Sequence, residues 1–390
     1  MQQSQPNPYR TSAALLFVLT GWFWFSQYTC APYLNPEMKL MGASPDFMGL
    51  VAGIYGLTQL VVRIPIGIWA DRMGRQKPFI VMGCLMAVLS TAGMLLFYNP
   101  TGFFVFRGIA GIGSGSWVSF TVLYGSYFAV DEAPRRISQL SNANHLGRLV
   151  CFVAMGALVT WYTVRAAFWA GFVTAVLSLG MSLFIRDVPR KRTPMDIKDF
   201  LVVAQDRNLQ VTSLLGALIQ VISFGTFYTF TVNLAVELKA TDAQLSFLNI
   251  ALMLPLVLAN LVATKWLFQR IGARGIITLG FLLEALYCVL APLAVNMTQL
   301  FAVQSLAGVG FSFTFSILLG QCVRTIAPEK RSAGMGLYQA VYGIGMTIGP
   351  VLMGYLIRWS GLSVSYFVMA GVSLASAWAA HRLLGKPQSV

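Results

Sequence analysis

Charged residues are scarce in this sequence. Only 10% of its 390 residues are Asp, Glu, Lys or Arg, whereas 57% are apolar. A soluble domain carries about a quarter charged residues, so this chain has too few charges to cover a surface that faces water. The scarcity excludes an ordinary soluble domain and predicts an integral membrane protein. Twelve helical spans of ~20 residues each would use ~240 residues. The remaining ~150 are needed for helix overhangs and short loops, so no room is left for a soluble catalytic domain.

Histidine and cysteine are also few. Catalysis within a membrane protein needs a constellation of facing groups, such as paired carboxylates or metal ligands, but His145 and His381 belong to no HExxH or Cys–His cluster. We therefore expect no enzyme activity, no cofactor and no metal site. The cysteines lie within or at the edges of apolar segments, which indicates no extracellular disulfide framework. They are Cys30, Cys84, Cys151, Cys288 and Cys322.

Acidic residues are outnumbered by basic ones. The chain has 27 Lys and Arg against 13 Asp and Glu, which gives a formal net charge of +14. Binding to nucleic acid would need these bases gathered into a patch on a soluble fold. Here they alternate with apolar runs, so we expect no nucleic-acid partner.

Twelve apolar runs lie between charges and turn residues. Backbone polar groups in lipid must bond within their own segment, and these runs are too long for barrel strands, so each is predicted to be a helix. The predicted fold class is an all-α membrane protein that crosses the lipid bilayer many times. The predicted spans are 12–34, 47–70, 78–97, 101–129, 138–161, 166–185, 209–236, 243–268, 275–295, 297–326, 331–357 and 363–384.

The basic residues predict the orientation of the chain. Lys and Arg are retained on the cytoplasmic side of short loops, and 19 of them lie at the termini and in the loops of one side. Both termini are therefore predicted to be cytoplasmic. Short tails and loops are typical of a multi-pass protein of the bacterial inner membrane. The opposite loops hold only Lys39, Arg165, Lys239 and Arg358.

The longest hydrophilic stretch divides the spans into two sets of six. It predicts a first bundle at 1–185, a cytoplasmic linker at 186–208 and a second bundle at 209–390. The halves repeat each other, because Arg107-Gly-Ile-Ala-Gly in span four matches Gln304-Ser-Leu-Ala-Gly in span ten at an offset of 197. Parallel repeats of this type place a substrate site near the membrane midplane between the halves.

The loop between spans two and three contains spaced glycines and charges. Gly67 permits close helix contact, and Asp71 caps or pairs with a neighbouring helix end. Gly74 makes a tight turn. The bases of the loop, which anchor it on the cytoplasmic side, are Arg72, Arg75 and Lys77.

This loop resembles the signature G-x-x-x-D-R-x-G-R-x-[RK] of the major facilitator superfamily. The resemblance implies two six-helix bundles related by a pseudo-two-fold axis, transport by alternating access, and a monomer. It also implies that Asp71, Arg72 and Arg75 help to hold the two halves together in one state. The alternative is that these charges only set the topology.

Span four carries an arginine with glycines on the same face. Arg107, Gly111 and Gly115 are spaced by four residues, and a cation within the membrane is costly unless it faces the protein interior. The arrangement resembles the second motif of the family, whose arginine is tied to proton coupling or to the motif loop. No strand precedes these glycines, so they indicate helix packing and not a nucleotide-binding loop.

The glycine and proline pattern typical of antiporters in this family is missing from span five. Span eleven carries a version of it, in which Gly345, Gly349 and Pro350 follow each other closely. Proline removes a backbone donor and permits a kink, which suits gating. The alternative is a static bend. The displaced pattern weakens the case for drug antiport.

Basic and polar side chains within the spans are the candidates for substrate contact. Asn144, His145 and Arg148 share a face of span five, and Arg63 lies in span two. An unpaired base in a membrane must find an anion, a carbonyl group or water. We hypothesise that Arg63, Arg107 and Arg148 form an electropositive cavity for an anionic or zwitterionic solute. The alternative is that these arginines are paired at the cytoplasmic ends of their helices.

Aromatic and amide side chains would supply the rest of a pocket. Spans one and seven line the cavity in the family, so faces of this kind would hold a partly apolar ligand. The alternative is plain packing between helices. The candidates are Trp24, Gln27, Tyr228, Tyr338, Gln339 and Tyr342.

The predicted function is secondary transport of a small organic solute, with protons as the expected coupling partner because proton coupling is usual in the family. The candidate proton carriers are His145, Asp71 and Glu284, of which Glu284 is the only carboxylate well inside a predicted span. Three alternatives stay open: an uncoupled facilitator, a multidrug or lipid efflux protein on the same fold, and a receptor-like protein that binds without transport.

Overall fold

The computed structural model describes residues 9–129, 132–188, 202–262, 267–327 and 330–384. Within these ranges all regular structure is helical, which confirms the predicted fold class. The helices are α1 (Arg10–Tyr28), α2 (Leu34–Leu40), α3 (Pro45–Met73), α4 (Lys77–Leu96), α5 (Pro100–Gly115), α6 (Trp117–Ser126), α7 (Ala133–Trp161), α8 (Arg165–Phe184), α9 (Arg207–Gly225), α10 (Thr231–Glu237), α11 (Asp242–Val262), α12 (Phe268–Leu290), a short 3₁₀ helix (Ala291–Leu293), α13 (Met297–Gln321), α14 (Arg331–Ser360) and α15 (Leu362–Leu383).

Ten of the described helices are long and apolar enough to cross a membrane. Helix α1 and the pair α5 and α6 lie in the remaining two predicted spans, 12–34 and 101–129. Helices α1 and α9 end earlier than predicted. After α9, the hydroxyl of Thr226 donates to the carbonyl oxygen of Ile222 at 2.7 Å and the backbone leaves the helical region. The predicted span 209–236 is therefore divided into α9 and the short α10.

The predicted span 101–129 is divided at Ser116 into α5 and α6. The hydroxyl of Ser116 donates to the carbonyl oxygen of Gly113 at 2.7 Å, and such local bonds compete with the helical backbone. A Cβ atom at Gly83 of α4 would overlap this hydroxyl. The break therefore lies where α4 packs closely, which a pattern of apolar residues does not reveal.

The described residues form two compact units. The first unit contains the described residues of 9–33, 58–129 and 132–188, and the second unit contains those of 34–57, 202–262, 267–327 and 330–384. Helix α3 therefore begins in the second unit and ends in the first. The division predicted at 186–208 stays a prediction, since much of that linker lies outside the described residues.

In the first unit, α1 packs against α7 and α8, and α4 packs against α5 and α8. Glycines permit these close approaches, as small residues do between membrane helices. A Cβ atom at Gly147 of α7 would overlap the carbonyl oxygen of Gly21 of α1. A Cβ atom at Gly113 of α5 would lie 2.9 Å from the carbonyl oxygen of Gly83 of α4. Phe120 belongs to the buried apolar core between these helices.

The second unit repeats one of these crossings. A Cβ atom at Gly310 of α13 would lie 3.0 Å from the carbonyl oxygen of Gly280 of α12. These two glycines follow Gly113 and Gly83 by 197 positions each, which is the offset of the sequence repeat. In each unit, one pair of helices therefore crosses at equivalent glycines.

Two tryptophans near helix ends are strongly exposed. Trp161 is the last residue of α7 and is 83% exposed, and Trp359 lies one residue before the end of α14 and is 84% exposed. Tryptophan is enriched where a membrane protein meets the lipid headgroups. We assign these two residues to that boundary.

Candidate functional site

The motif loop between α3 and α4 makes a tight turn at Gly74. The φ angle of Gly74 is 62°, which is the left-handed region that favours glycine. The backbone N–H of Arg75 closes the turn by donating to the carbonyl oxygen of Ala70 at 3.2 Å. Helix α4 then begins at Lys77.

An acid that sequence reasoning missed holds this turn in place. Asp187 lies just beyond α8, and its carboxylate accepts hydrogen bonds from the backbone N–H groups of Gln76 and Lys77, both at 3.2 Å. Nζ of Lys77 donates to the carbonyl oxygen of Leu183 at 2.7 Å. An anion at a helix N-terminus satisfies free N–H groups and interacts favourably with the helix dipole. The available signal was a single acid within the basic run 186–192.

The remaining residues of the motif loop differ in their surroundings. Arg72 and Arg75 are exposed, and the side chain of Asp71 lies outside the described residues. Apart from its own stretch of helix, no described atom lies within 4 Å of the place that a Cβ atom would take at Gly67. The close helix contact predicted for Gly67 stays a prediction.

Arg148 stacks on an aromatic ring in the first unit. Its guanidinium carbon lies 4.0 Å from the ring centroid of Tyr28, which is the geometry of a cation–π contact. The close approach of α1 and α7 at Gly21 and Gly147 brings the two side chains together. Tyr28 is in turn edge-on to Phe152, with centroids 6.0 Å apart. The cation therefore lies against an aromatic wall.

Arg107 lies in the same region of the first unit. It lies close enough to the thiol of Cys30 for the two groups to interact electrostatically. Cys151 interacts in the same way with both Cys30 and Arg148. Two of the three predicted arginines, one from α5 and one from α7, therefore lie near the end of α1.

Arg63, the third predicted arginine, belongs to the contact between α3 and α5. A Cβ atom at Gly115 would lie 3.7 Å from the backbone nitrogen of Arg63. About one and a half to two turns away along the same contact, the hydroxyl of Thr58 donates to the carbonyl oxygen of Gly108 at 2.8 Å. Gly111 is buried within α5. This part of α5 is therefore an interface with α3 as well as the segment that carries Arg107.

Four polar side-chain atoms on α1 and α7 are buried without a hydrogen-bond partner among the described residues. Buried polar groups in proteins are normally hydrogen-bonded, so these atoms fit a site that holds water or a ligand. His145 is also within electrostatic range of Arg148. The atoms are Nε1 of Trp24, Nε2 of Gln27, Oδ1 of Asn144 and Nδ1 of His145.

The second unit contains a continuous row of aromatic rings. Neighbouring rings in this aromatic row have centroids between 5.1 and 5.9 Å apart. Three of its members were predicted, and the two on α13 were missed although they are four residues apart on one helix face. The aromatic row consists, in order, of Tyr228, Phe311, Phe315, Tyr342 and Tyr338.

The predicted tyrosines of the aromatic row are not equally accessible. Tyr338 is fully buried, and a Cβ atom at Gly216 would lie 2.8 Å from its ring. Tyr228, Tyr342 and the neighbouring predicted residue Gln339 are half-buried. Burial therefore separates Tyr338, whose hydroxyl has no hydrogen-bond partner among the described residues, from the other three. Ligand contact stays a prediction for all four.

The predicted glycines of span eleven lie against α9. A Cβ atom at Gly345 or at Gly349 would overlap a carbonyl oxygen of α9. Pro350 follows within the continuous helix α14, and a Cβ atom at Gly49 of α3 would overlap its carbonyl oxygen. Helix α14 is therefore packed closely on α9 and on the first part of α3.

Glu284 points into the second unit. It lies on α12 and is 0% exposed, and neither of its carboxyl oxygens has a hydrogen-bond partner among the described residues. A Cβ atom at Gly310 of α13 would lie 3.2 Å from its Cγ. The sequence left the direction of this side chain open, and the structure places it in the interior.

Comparison with known proteins gives one consistent result. Residues 13–230 and 212–390 match the family model described as Major Facilitator Superfamily. An uncharacterized MFS-type transporter of Methanocaldococcus jannaschii is 23% identical over 350 residues, which covers 86% of this chain and 88% of that protein. The inner membrane transport protein YajR of Escherichia coli is 24% identical over 362 residues, covering 87% of this chain and 75% of that protein. The crystal structure of the nucleoside transporter NupG has a TM-score of 0.77 at 12% identity and covers 95% of this chain and 98% of that chain.

Proposed function

The chain belongs to the Major Facilitator Superfamily, and we propose that it carries a small anionic or zwitterionic organic solute across the membrane by alternating access. It is a multi-pass membrane transporter and not an enzyme. The proposal adds three points to this identity: proton coupling, a bacterial inner membrane as the location, and a monomer as the working state.

The stacking of Arg148 on Tyr28 carries the proposal for the substrate class. A guanidinium group held over a ring by its central carbon keeps N–H donors at its edge, and this fork of donors matches a carboxylate or phosphate group. The second arginine in the region, Arg107, adds positive charge. The four unpartnered polar atoms on α1 and α7 supply hydrogen-bonding groups for the rest of a polar solute.

Proton coupling is supported by the carboxyl group of Glu284 inside the second unit. His145 stays a candidate carrier on α7, and the side chain of Asp71 lies outside the described residues. The inner-membrane location is supported by the similarity to YajR, an inner membrane transport protein of Escherichia coli. Measuring the mass of the purified protein in detergent tests whether the protein is a monomer.

A thermal-shift screen of the purified protein tests the substrate class, because a ligand that binds the native state raises its apparent stability. The screen uses anionic, zwitterionic, cationic, uncharged and lipid compounds on the wild type and on the variants Arg148→Gln and Arg63→Gln. Arg165→Gln is a matched control, since Arg165 also stacks on a tyrosine, Tyr98, at 4.6 Å but is exposed at the start of α8.

We expect anions or zwitterions to stabilise the wild type and Arg165→Gln, and to lose this effect in Arg148→Gln. A ligand present at 100 times its Kd stabilises the protein by about 2.7 kcal/mol, which is easily measured. If both Arg63→Gln and Arg148→Gln respond as the wild type does, the electropositive cavity is wrong.

The aromatic row favours a second candidate function, the transport of an apolar or lipid-like substrate. Its half-buried rings offer flat apolar surface on which such a molecule would pack. Stabilisation by hydrophobic cations or lipids, equal in the wild type and in all three arginine variants, would support this multidrug or lipid-efflux function. Replacement of Tyr342 by Leu would then reduce the stabilisation.

A further inference from the structure

Glu284 lies at the closest crossing of α12 and α13. A Cβ atom at Gly280 of α12 would lie 2.8 Å from the carbonyl oxygen of Gly310 of α13, and Glu284 follows Gly280 by one turn. Its Cγ fills the space beside Gly310. Helix α15 is tied to the same stretch of α12, because the hydroxyl of Ser373 donates to the carbonyl oxygen of Phe281 at 2.7 Å. The carboxyl group is therefore enclosed by helices.

The equivalent position in the first unit holds alanine. Gly83 and Gly113 make the same crossing there, and the residue 197 positions before Glu284 is Ala87, which is 1% exposed. A Cβ atom at Gly113 would lie 3.5 Å from the backbone nitrogen of Ala87. One copy of the crossing therefore packs well with a single side-chain carbon at this position. The carboxyl group in the other copy is not required by packing.

No described group is placed to neutralise a charge on Glu284. Helix α13 carries no titratable side chain along Met297–Gln321, and the 3₁₀ helix Ala291–Leu293 carries none. The titratable residues of α15 are Tyr366, which hydrogen-bonds Thr231 at 2.9 Å, and the exposed His381 and Arg382 at its far end.

Helix α12 itself offers Glu284 no cation within hydrogen-bonding distance. Arg270 lies before Gly272, where the backbone leaves the helical region, and Arg274 lies more than two turns before the carboxyl group. Cys288 is within electrostatic range but is a thiol, and the hydroxyl of Tyr287 is bonded to that of Thr231. A bare carboxylate is far more costly to bury in such surroundings than the neutral acid.

We propose that Glu284 is a proton-binding site, occupied by a proton in the conformation described here and emptied when the crossing of α12 and α13 opens to water. This inference rests on the proposed proton coupling and gives it a location. The step is a simple ionisation, in which the carboxylic acid releases its proton to water and becomes a carboxylate. The closed crossing disfavours that carboxylate, so the proton and the conformation of the second unit are linked.

Infrared spectroscopy of the purified protein in lipid tests the proposal without any substrate. A protonated carboxyl group has a C=O stretching band that a carboxylate lacks, and exposed Glu ionises near a pKa of about 4.3. We record this band near neutral pH for the wild type, Glu284→Gln and Glu284→Ala. Glu132→Gln is the control, because Glu132 is half-exposed and paired with Arg136 at 3.3 Å.

We expect the carboxylic-acid band in the wild type and in Glu132→Gln, and its loss in both variants of Glu284. Glu284→Ala should fold because Ala87 fills the equivalent place in the first unit. A band that is unchanged in the folded Glu284 variants would overturn the proposal. If neither variant folds, the wild type alone decides. At a pH above the pKa of exposed carboxyl groups, a wild type that lacks the carboxylic-acid band holds no buried proton of this kind, and the proposal is overturned.

The pH dependence of thermal unfolding gives a second measurement. The folded protein holds a proton that the unfolded chain releases above about pH 5.5, so raising the pH favours unfolding. We expect the unfolding equilibrium constant of the wild type, relative to Glu284→Gln, to rise by up to about tenfold per pH unit. Identical pH profiles for the two proteins would contradict the proposal.

These measurements separate this inference from the proposed function. A carboxylic-acid band that depends on Glu284, found together with ligand stabilisation that ignores Arg148, would refute the substrate class alone. Anion stabilisation that requires Arg148, found in a protein without the band, would refute the proton site alone.

Discussion

Asp46 and Arg358 form a salt bridge across 312 positions of the chain, with Nη1 of Arg358 2.8 Å from Oδ2 of Asp46. Asp46 lies in the first turn of α3 and Arg358 in the last turn of α14, so each charge also suits the dipole of its own helix. A Cβ atom at Gly354 would lie 2.6 Å from the carbonyl oxygen of Pro45. The start of α3 is therefore packed on the end of α14 within the second unit.

This salt bridge should make a small and salt-dependent contribution to stability. The Arg358 side chain is 58% exposed, and exposed ion pairs contribute about 0.2–1 kcal/mol. A double-mutant cycle of Asp46→Asn and Arg358→Gln, measured by unfolding in one detergent, should give a coupling free energy in this range. The coupling should decrease as salt is added. Single variants whose effects simply add would show that the two charges do not interact.

Asp187 should protect the beginning of α4 from hydrogen exchange. Replacing it with Ala removes the acceptor of two backbone N–H groups, and the loss of a helix cap costs about 0.5–2 kcal/mol. Amide exchange should become faster at Gln76 and Lys77, with a smaller effect in Asp187→Asn because the amide oxygen still accepts.

A second aspartate provides a matched control for this prediction. Asp206 caps α9 by accepting from the backbone N–H of Leu209 at 2.7 Å. Asp206→Ala should accelerate exchange at the start of α9 and leave α4 unchanged. Equal acceleration of both helices in either variant would mean that the loss of a cap loosens the whole protein, and the local function assigned to Asp187 would be wrong.

Gly349 should not tolerate a larger side chain. Its added Cβ atom would meet backbone atoms of Val221 at 2.9 and 3.0 Å, and backbone moves less easily than a side chain. Overpacking of this kind costs about 1–3 kcal/mol, so Gly349→Ala should lower the unfolding temperature. Apart from its own stretch of helix, Gly371 of α15 has no described atom within 4 Å of its added Cβ atom. Gly371→Ala should therefore unfold at the wild-type temperature or slightly higher. Equal decreases in the unfolding temperature of the two variants would contradict the close contact at Gly349.

The cysteines should react slowly in the native protein. All five are free thiols and are buried, and a reagent such as a maleimide must reach the thiolate. Native protein should therefore incorporate little label, whereas all five thiols should react after unfolding in SDS. Rapid labelling before unfolding would show that one of these sites is open to water. If labelling is slow, single cysteines added at the surface become useful reporters in the otherwise unmodified chain.

The sequence predicts the helices of this fold better than their interruptions. Apolar runs determine where helices lie because lipid requires each segment to satisfy its own backbone, and the turn at Gly74 follows from its neighbours. The break at Ser116 depends on one hydroxyl and on α4, which is distant in the sequence. Similarly, residues 34–57 belong to the second unit because they pack on α14. This contact joins distant parts of the chain, so no local sequence pattern predicts it.

The candidate site was predicted in its residue types and only partly in its contacts. Arg148 was singled out because a cation in a membrane needs a partner, but its stacking on Tyr28 depends on the glycines of α1 and α7. Asp187 was missed because its function depends on a turn more than a hundred residues earlier. The ligand-facing residues themselves stay a prediction.

The span that ends at Trp161 makes this protein sensitive to the thickness of the bilayer around it. The span Gln139–Trp161 has 23 residues, which corresponds to about 34 Å of helix. A hydrocarbon core of ~30 Å accommodates this length with a modest tilt. Lipids with shorter acyl chains would force a larger tilt or a local distortion of the bilayer. Acyl-chain length should therefore affect the reconstituted protein even where the lipid headgroups are the same.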